Sequence, residues 1–187
     1  MIYLVYGGSG SGKSSFAEKL LADFPGAEKY YIATMMARED DADAQKKIAR
    51  HRKLREGRGF KTIEKARNLG EICGLTGIRG LGGGALVECM GNLCANEMFA
   101  SPGIDDEESC DQKSQGEVVE KILEGVKKLS SVFENLVIVT NNVFDDGRQY
   151  DEATKKYIKT LGKINCQLAV ISDKVYEVVV GIPVEIK

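Results

Sequence analysis

Ile2-Tyr3-Leu4-Val5-Tyr6 runs without a break into Gly7-Gly8-Ser9-Gly10-Ser11-Gly12-Lys13-Ser14. The octet has the spacing G-x-x-x-x-G-K-[ST], and its flanks decide how it reads. Five strand-forming residues precede it, and Phe16, Leu20 and Leu21 follow at helical spacing. A strand, a glycine turn and a helix opening at the lysine allow main-chain N–H groups to surround a phosphate. The glycines permit close backbone approach and positive φ. Lys13 then meets the β- and γ-phosphate oxygens as a point charge, with Ser14 Oγ on Mg²⁺. A merely flexible Gly/Ser turn would require neither flank.

Composition bounds the rest. A chain of 187 residues suits one nucleotide-binding domain, 1–187. Its 43% hydrophobic and 29% charged residues match an ordinary globular protein. A net charge of −2 supplies no electrostatic drive toward nucleic acid or an anionic membrane. No apolar run approaches the roughly 20 residues of a membrane span. A strand at the N-terminus leaves no room for a signal peptide. The cysteines, Cys73, Cys89, Cys94, Cys110 and Cys166, contain no C-x-x-C pair, and His51 is the single histidine. A zinc cluster is therefore unsupported. The expectation is a cytoplasmic protein with reduced thiols, Cys89 and Cys94 acting as small buried hydrophobes.

The periodicity alternates. Lys29-Tyr30-Tyr31-Ile32-Ala33 reads as a second strand, residues 40–56 as a polar helix, and Phe60-Lys61-Thr62-Ile63-Glu64 as a short strand. A helix over about 65–75 leads into a glycine-heavy turn, 77–84, and Ala85-Leu86-Val87-Glu88-Cys89 is a buried strand. Residues 101–113 are acidic and loop-like. Val118, Ile122, Val126, Leu129 and Phe133 mark an amphipathic helix. Leu136-Val137-Ile138-Val139-Thr140 is the clearest buried strand, and a long helical stripe runs from Tyr150 to Ile171. Two last strands, 175–180 and 184–186, join through Gly181-Ile182-Pro183. Such alternation predicts an α/β fold, a mostly parallel sheet with helices on both faces.

Two further features carry chemistry. Glu88 ends an apolar run, where a carboxylate holds the hydration shell of a nucleotide's magnesium; an ordinary strand-end carboxylate is the alternative. Ile48, His51 and Arg55 share a helical face at i, i+3 and i+7, inside His51-Arg52-Lys53-Leu54-Arg55. Three cations suit a polyphosphate and favour the neutral imidazole, the nucleophilic form. The competing reading is a solvated helix face. Met35 and Met36 follow the second strand and either pack or line an acceptor pocket.

Gly7 to Ser14, Tyr31-Ile32-Ala33-Thr34, Ile48-x-x-His51-Arg52-x-x-Arg55, Thr62-x-Glu64, Leu86-Val87-Glu88-Cys89, Val139-Thr140-Asn141, Gly162-x-x-Asn165 and the closing run Val175 to Lys187 follow in that order. In this the chain resembles the adenosylcobinamide kinase/adenosylcobinamide-phosphate guanylyltransferase family, over nearly its whole length. The resemblance implies a RecA-like P-loop NTPase fold with a C-terminal β-hairpin, a homotrimer, and a role in cobalamin biosynthesis and corrinoid salvage. It implies two reactions on corrinoid substrates: phosphorylation of adenosylcobinamide by ATP or GTP, and transfer of GMP from GTP to the phosphate through a histidine–GMP intermediate. Gly7, Gly8, Ser9, Gly10, Ser11, Gly12, Lys13 and Ser14 would hold nucleotide phosphates, and His51 matches the covalent histidine. Thr34, Met35, Met36, Arg52, Lys53, Leu54, Arg55, Glu64 and Glu88 match the remaining GTP-contacting positions. Glu64 could serve the metal side or a guanine N–H edge.

The chain also departs from the family pattern. Where the family usually reads Thr-Asn-Glu-Val-Gly, this chain has Thr140-Asn141-Asn142-Val143-Phe144. An Arg–aromatic–Arg–Asp cluster is replaced by Lys155-Lys156-Tyr157-Ile158-Lys159, and the proline after the histidine segment by Glu56-Gly57. The first two changes bear on corrinoid binding and the kinase step more than on histidine guanylylation. Two other readings stand beside the bifunctional enzyme: a diverged P-loop kinase or nucleotidyltransferase with another acceptor, and a nucleotide-binding regulator without turnover.

Overall fold

The computed structural model describes residues 1–25, 28–36, 59–75, 83–99, 114–143 and 147–187. Among them are strands β1 (Ile2–Gly7), β2 (Lys29–Ala33), β3 (Phe60–Glu64), β4 (Gly84–Glu88), β5 (Asn135–Asn141), β6 (Lys174–Val179) and β7 (Ile182–Glu185). The helices are α1 (Lys13–Asp23), α2 (Met90–Phe99), α3 (Gln115–Val132) and α4 (Glu152–Ile171), with a 3₁₀ helix at Leu69–Gly74. The strands form one sheet in the order β3-β2-β4-β5-β1-β6-β7, parallel throughout except for the β6–β7 hairpin. The α/β expectation holds, mostly parallel sheet and C-terminal hairpin included.

Side chains alternate across the sheet because successive Cβ atoms point to opposite faces. Leu4, Ile32, Val87, Leu136 and Ile138 bury one face against Met90 and Leu93 of α2, Ile122 and Val126 of α3, and Leu161 and Ile164 of α4. Tyr3, Val5, Tyr31, Leu86 and Val137 bury the other against Ala17 and Leu21 of α1. Covering on both faces explains why β4 and β5 read as unbroken apolar runs. Two helices open on side-chain caps: Ser114 and Glu117 form a reciprocal capping box on α3, and Asp151 accepts from Thr154 N at 2.7 Å on α4. No helix among the described residues is long and apolar enough to cross a membrane.

Two elements differ from the sequence reading. The helix expected over 65–75 is the shorter 3₁₀ helix Leu69–Gly74, because Asn68 takes φ 56° and breaks the chain's approach to it. Glu97 of α2 accepts from the Asn68 N–H at 2.7 Å and from Lys121 Nζ at 2.7 Å, which pins that bend. The second difference is α2, a helix the periodicity does not announce; its buried positions are Met90, Gly91, Leu93, Cys94 and Glu97. The expected helix over 40–56 and the loop over 101–113 lie outside the described residues.

The 3₁₀ helix docks on α3 at Gly125, where an added Cβ would sit 2.9 Å from Leu69 Cβ and 3.3 Å from Gly70 N. Neither neighbour is the free end of a flexible side chain, so the two elements must separate. Gly125→Ala is expected to destabilise the fold by roughly 1–3 kcal/mol, as overpacking does. Chemical denaturation would measure this as a lowered midpoint at unchanged slope.

Candidate nucleotide-binding site

Parallel pairing brings the functional strand ends to one edge. Ala33 lies level with Glu64 on one side and Glu88 on the other, and Gly7 is level with Asn141. The glycine turn leaves β1 at this carboxyl edge, the usual place for ligands in open α/β sheets. Gly10 and Gly12 take φ 73° and 91°, values that a β-carbon disfavours. Gly12 is also the N-cap of α1, which has no side-chain cap hydrogen bond and no acidic residue in its first turn. The first N–H groups of α1 are thus left for an anion.

Lys13 begins the helix and bends back over the turn, its Nζ donating to Gly8 O at 2.9 Å. Its residue is only 9% exposed. Burial pulls the ammonium below the ordinary lysine value, an effect opposed by the nearby Cys89 and Glu88. A cation held in this way has given up water before any phosphate arrives.

Glu88 is gripped at both oxygens. Ser14 Oγ donates to Oε1, and the phenol of Tyr31, two residues before the end of β2, donates to Oε2 at 2.7 Å. Tyr31 is 3% exposed, so its hydroxyl is fixed by the sheet. The Ser14 hydroxyl and Glu88 carboxylate are hard oxygen donors in direct contact at the helix end of the loop. This pair fits Mg²⁺, which binds through one or two protein oxygens and keeps several waters. Among the described residues no cluster of three or more His, Cys, Asp or Glu competes as a metal centre.

The neighbouring positions are more varied. Thr34 is fully buried; its hydroxyl donates to Cys89 O at 2.8 Å, its N–H to Glu88 O, and its carbonyl accepts from Asn96 Nδ2. Met35 is half-buried and Met36 is 50% exposed, so plain core packing does not account for Met36. Glu64 is exposed at the end of β3. His51, Arg52, Lys53, Leu54 and Arg55 lie outside the described residues, as does Phe144. The structure therefore brings together the glycine turn, Lys13, Ser14 and Glu88.

Beside Glu88 lies a polar group that the sequence reading did not assemble. Asn141 Nδ2 donates to Cys89 Sγ at 3.6 Å, and buried Thr140 donates to Asn165 Oδ1 at 2.6 Å. Tyr157 donates to Gly91 O at 3.3 Å, and burial pushes its phenol up to about 12. Asn142 follows β5, its N–H donating to Gly7 O at 2.9 Å and so extending the ladder into the site. Lys155 pairs with Glu152 on the outside of α4. Cys89 and Cys94 are buried with raised thiol pKa values, Cys94 reaching about 12, as expected of inert small hydrophobes. Tyr31 was the clearest omission. Its only sequence signal was an aromatic two positions before a strand end.

Two outcomes follow from this geometry. Lys13→Met removes a buried, partly compensated charge, so the nucleotide-free protein should melt at the same or a higher temperature. Its phosphoryl-transfer rate should fall at least ~10²-fold, the scale of losing one transition-state charge contact; calorimetry and a turnover assay read the two effects separately. Tyr31→Phe keeps the packing and deletes one hydrogen bond to the carboxylate. Electron paramagnetic resonance of Mn²⁺ with bound nucleotide should report about tenfold weaker metal binding, the scale of a charge-assisted bond.

The family described as "Cobinamide kinase / cobinamide phosphate guanyltransferase" matches residues 3–186. The bifunctional adenosylcobalamin biosynthesis protein CobU of Salmonella typhimurium strain LT2 is 30% identical over 191 residues, covering all of both chains. The protein of the same name from Escherichia coli strain K12 is 28% identical over 188 residues, again at full coverage. Among solved structures, the flagellar accessory protein FlaH from Methanocaldococcus jannaschii overlaps 94% of this chain and 70% of its own, at 10% identity and a TM-score of 0.44. From the match along nearly its entire length, this chain belongs to the cobinamide kinase / cobinamide phosphate guanyltransferase family.

Proposed function

We propose that this chain is a bifunctional enzyme of cobalamin biosynthesis that first phosphorylates the aminopropanol hydroxyl of adenosylcobinamide and then joins GMP to that phosphate. The observation that carries the reading is the convergence of Lys13, Ser14 and Glu88 on the glycine turn in a member of this family. In the first step the glycine-turn N–H groups and Lys13 hold the triphosphate of ATP or GTP and stabilise charge developing on the transferred group. Mg²⁺, held by Ser14 and through water by Glu88, would supply further neutralisation there. Tyr31 keeps the Glu88 carboxylate turned toward Ser14 throughout.

In the second step the neutral His51 ring attacks the α-phosphorus of GTP, forming a P–N bond as the bond to the β-phosphate oxygen breaks and pyrophosphate leaves. An oxygen of adenosylcobinamide phosphate then displaces the histidine, transferring GMP. Arg52, Lys53 and Arg55 supply positive charge for the polyphosphate, and Glu64 a carboxylate for metal or guanine. We place the enzyme in the cytoplasm as a homotrimer, in keeping with the resemblance. A second reading, a diverged transferase with another acceptor, is favoured by Asn142 and by Lys155-Lys156-Tyr157-Ile158-Lys159 in place of the family's Arg–aromatic–Arg–Asp cluster.

GTP radiolabelled at the α-phosphate separates these. Incubated with Mg²⁺, the protein should acquire acid-labile, base-stable label, and His51→Ala should acquire none. Bound GTP without covalent label would overturn the guanylyl-transfer half. Adenosylcobinamide and its phosphate should each be modified in turn. Modification of a different alcohol alone would establish the diverged reading.

A further inference from the structure

The C-terminal hairpin does more than close the sheet. β6 runs parallel to β1, pairing Tyr3 with Lys174 and Tyr6 with Glu177, so its end arrives beside the glycine turn. There the chain reverses through Val180 and Gly181, at φ 45° and 85°. Positive φ at both central residues is the mirror-image turn that suits two-residue hairpins. Valine, β-branched, is a poor occupant of the left-handed region, so the surrounding contacts must hold this conformation.

Those contacts are with the phosphate loop. Gly181 N donates to Ser11 O at 2.8 Å. A Cβ on Gly12 would lie 3.2 Å from Gly181 Cα, and one on Gly7 would lie 2.8 Å from Val178 O. The loop therefore has main chain of the hairpin against it at both ends. In a trans peptide the C=O and N–H groups point in opposite directions. Fixing the Ser11 carbonyl toward Gly181 thereby fixes the Gly12 N–H away from the hairpin.

We propose that Gly181 is a positioning residue of the nucleotide site. Its N–H holds the Ser11–Gly12 peptide in the orientation that presents Gly12 N–H to the bound phosphates. Free loop peptides would have to be oriented by the nucleotide itself, at an entropic expense taken from affinity. The proposal rests on the reading of the glycine turn as the triphosphate site.

The test deletes a single donor. Cys166 is exposed, so a synthetic peptide spanning Cys166–Lys187 can be ligated there to a thioester of residues 1–165. In the variant, an ester replaces the Gly181 amide, removing the N–H while keeping shape. Affinity for guanosine 5′-[β,γ-imido]triphosphate should fall about fivefold, the scale of one neutral hydrogen bond, while guanosine binds both proteins equally. A companion full-length variant with two glycines inserted between Val180 and Gly181, at the exposed tip, should show a larger loss of the same kind. Unchanged triphosphate affinity in the ester protein would overturn the proposal and leave the functional reading standing. Equal weakening for triphosphate and nucleoside would also overturn it, since a general structural role predicts that. Ligated wild-type sequence that binds no triphosphate would sink both.

Discussion

The site depends on a steric exclusion: a turn of main chain that admits no β-carbon at its two ends. At Gly7 an added carbon would fall 2.6 Å from Ser11 Oγ, and at Gly12 it would press on the hairpin backbone. The close fit keeps the turn folded before any ligand arrives, and the helix that follows starts without a capping side chain. Donors that a capping side chain would otherwise engage are left facing outward. The same reasoning applies to Lys13, whose ammonium is buried and displaced from its ordinary pKa by that burial. Burial of Lys13 carries a desolvation cost, one that an anion placed beside it would offset.

The sheet supplies rigidity for this arrangement. Ser14 sits on α1, Glu88 on β4 and Tyr31 on β2, three elements far apart in sequence, yet one carboxylate connects them. β2 and β4 are hydrogen-bonded neighbours, and the register that sets Ala33 beside Glu88 also sets Tyr31 beside Leu86. A displacement of one strand by a single residue would turn the tyrosine to the opposite face and lose the contact. The accuracy of the metal-side constellation is thus inherited from strand pairing rather than from loop conformation.

Legibility in the sequence followed locality. β1, the glycine turn and α1 are contiguous, and their strand, turn and helix are found as expected because every participant is within a few residues of its partner. β5 and α4 were equally plain, one by its unbroken apolar run and the other by a long helical stripe. α2 was missed because one of its buried positions is Glu97, a residue that reads as exposed unless Lys121 and the Asn68 N–H are known to meet it. The helix expected over 65–75 was shortened by a left-handed Asn68, a conformation that no periodicity announces. At the site, Glu88 was legible from its strand end, whereas Tyr31 became meaningful only through register. His51 and its cationic neighbours remain a reading of sequence and family, since they lie outside the described residues.

The last strand has an implication for self-association. Every residue of β7 is exposed, and Ile182, Val184 and the following Ile186 show apolar side chains to solvent at the open margin of the sheet. Such margins invite another chain to continue the ladder, the route to fibrous stacking. Pro183 interrupts that route, because it brings no main-chain N–H to an incoming strand. These side chains can be covered broadside, while edge-to-edge growth meets a residue with no N–H to give.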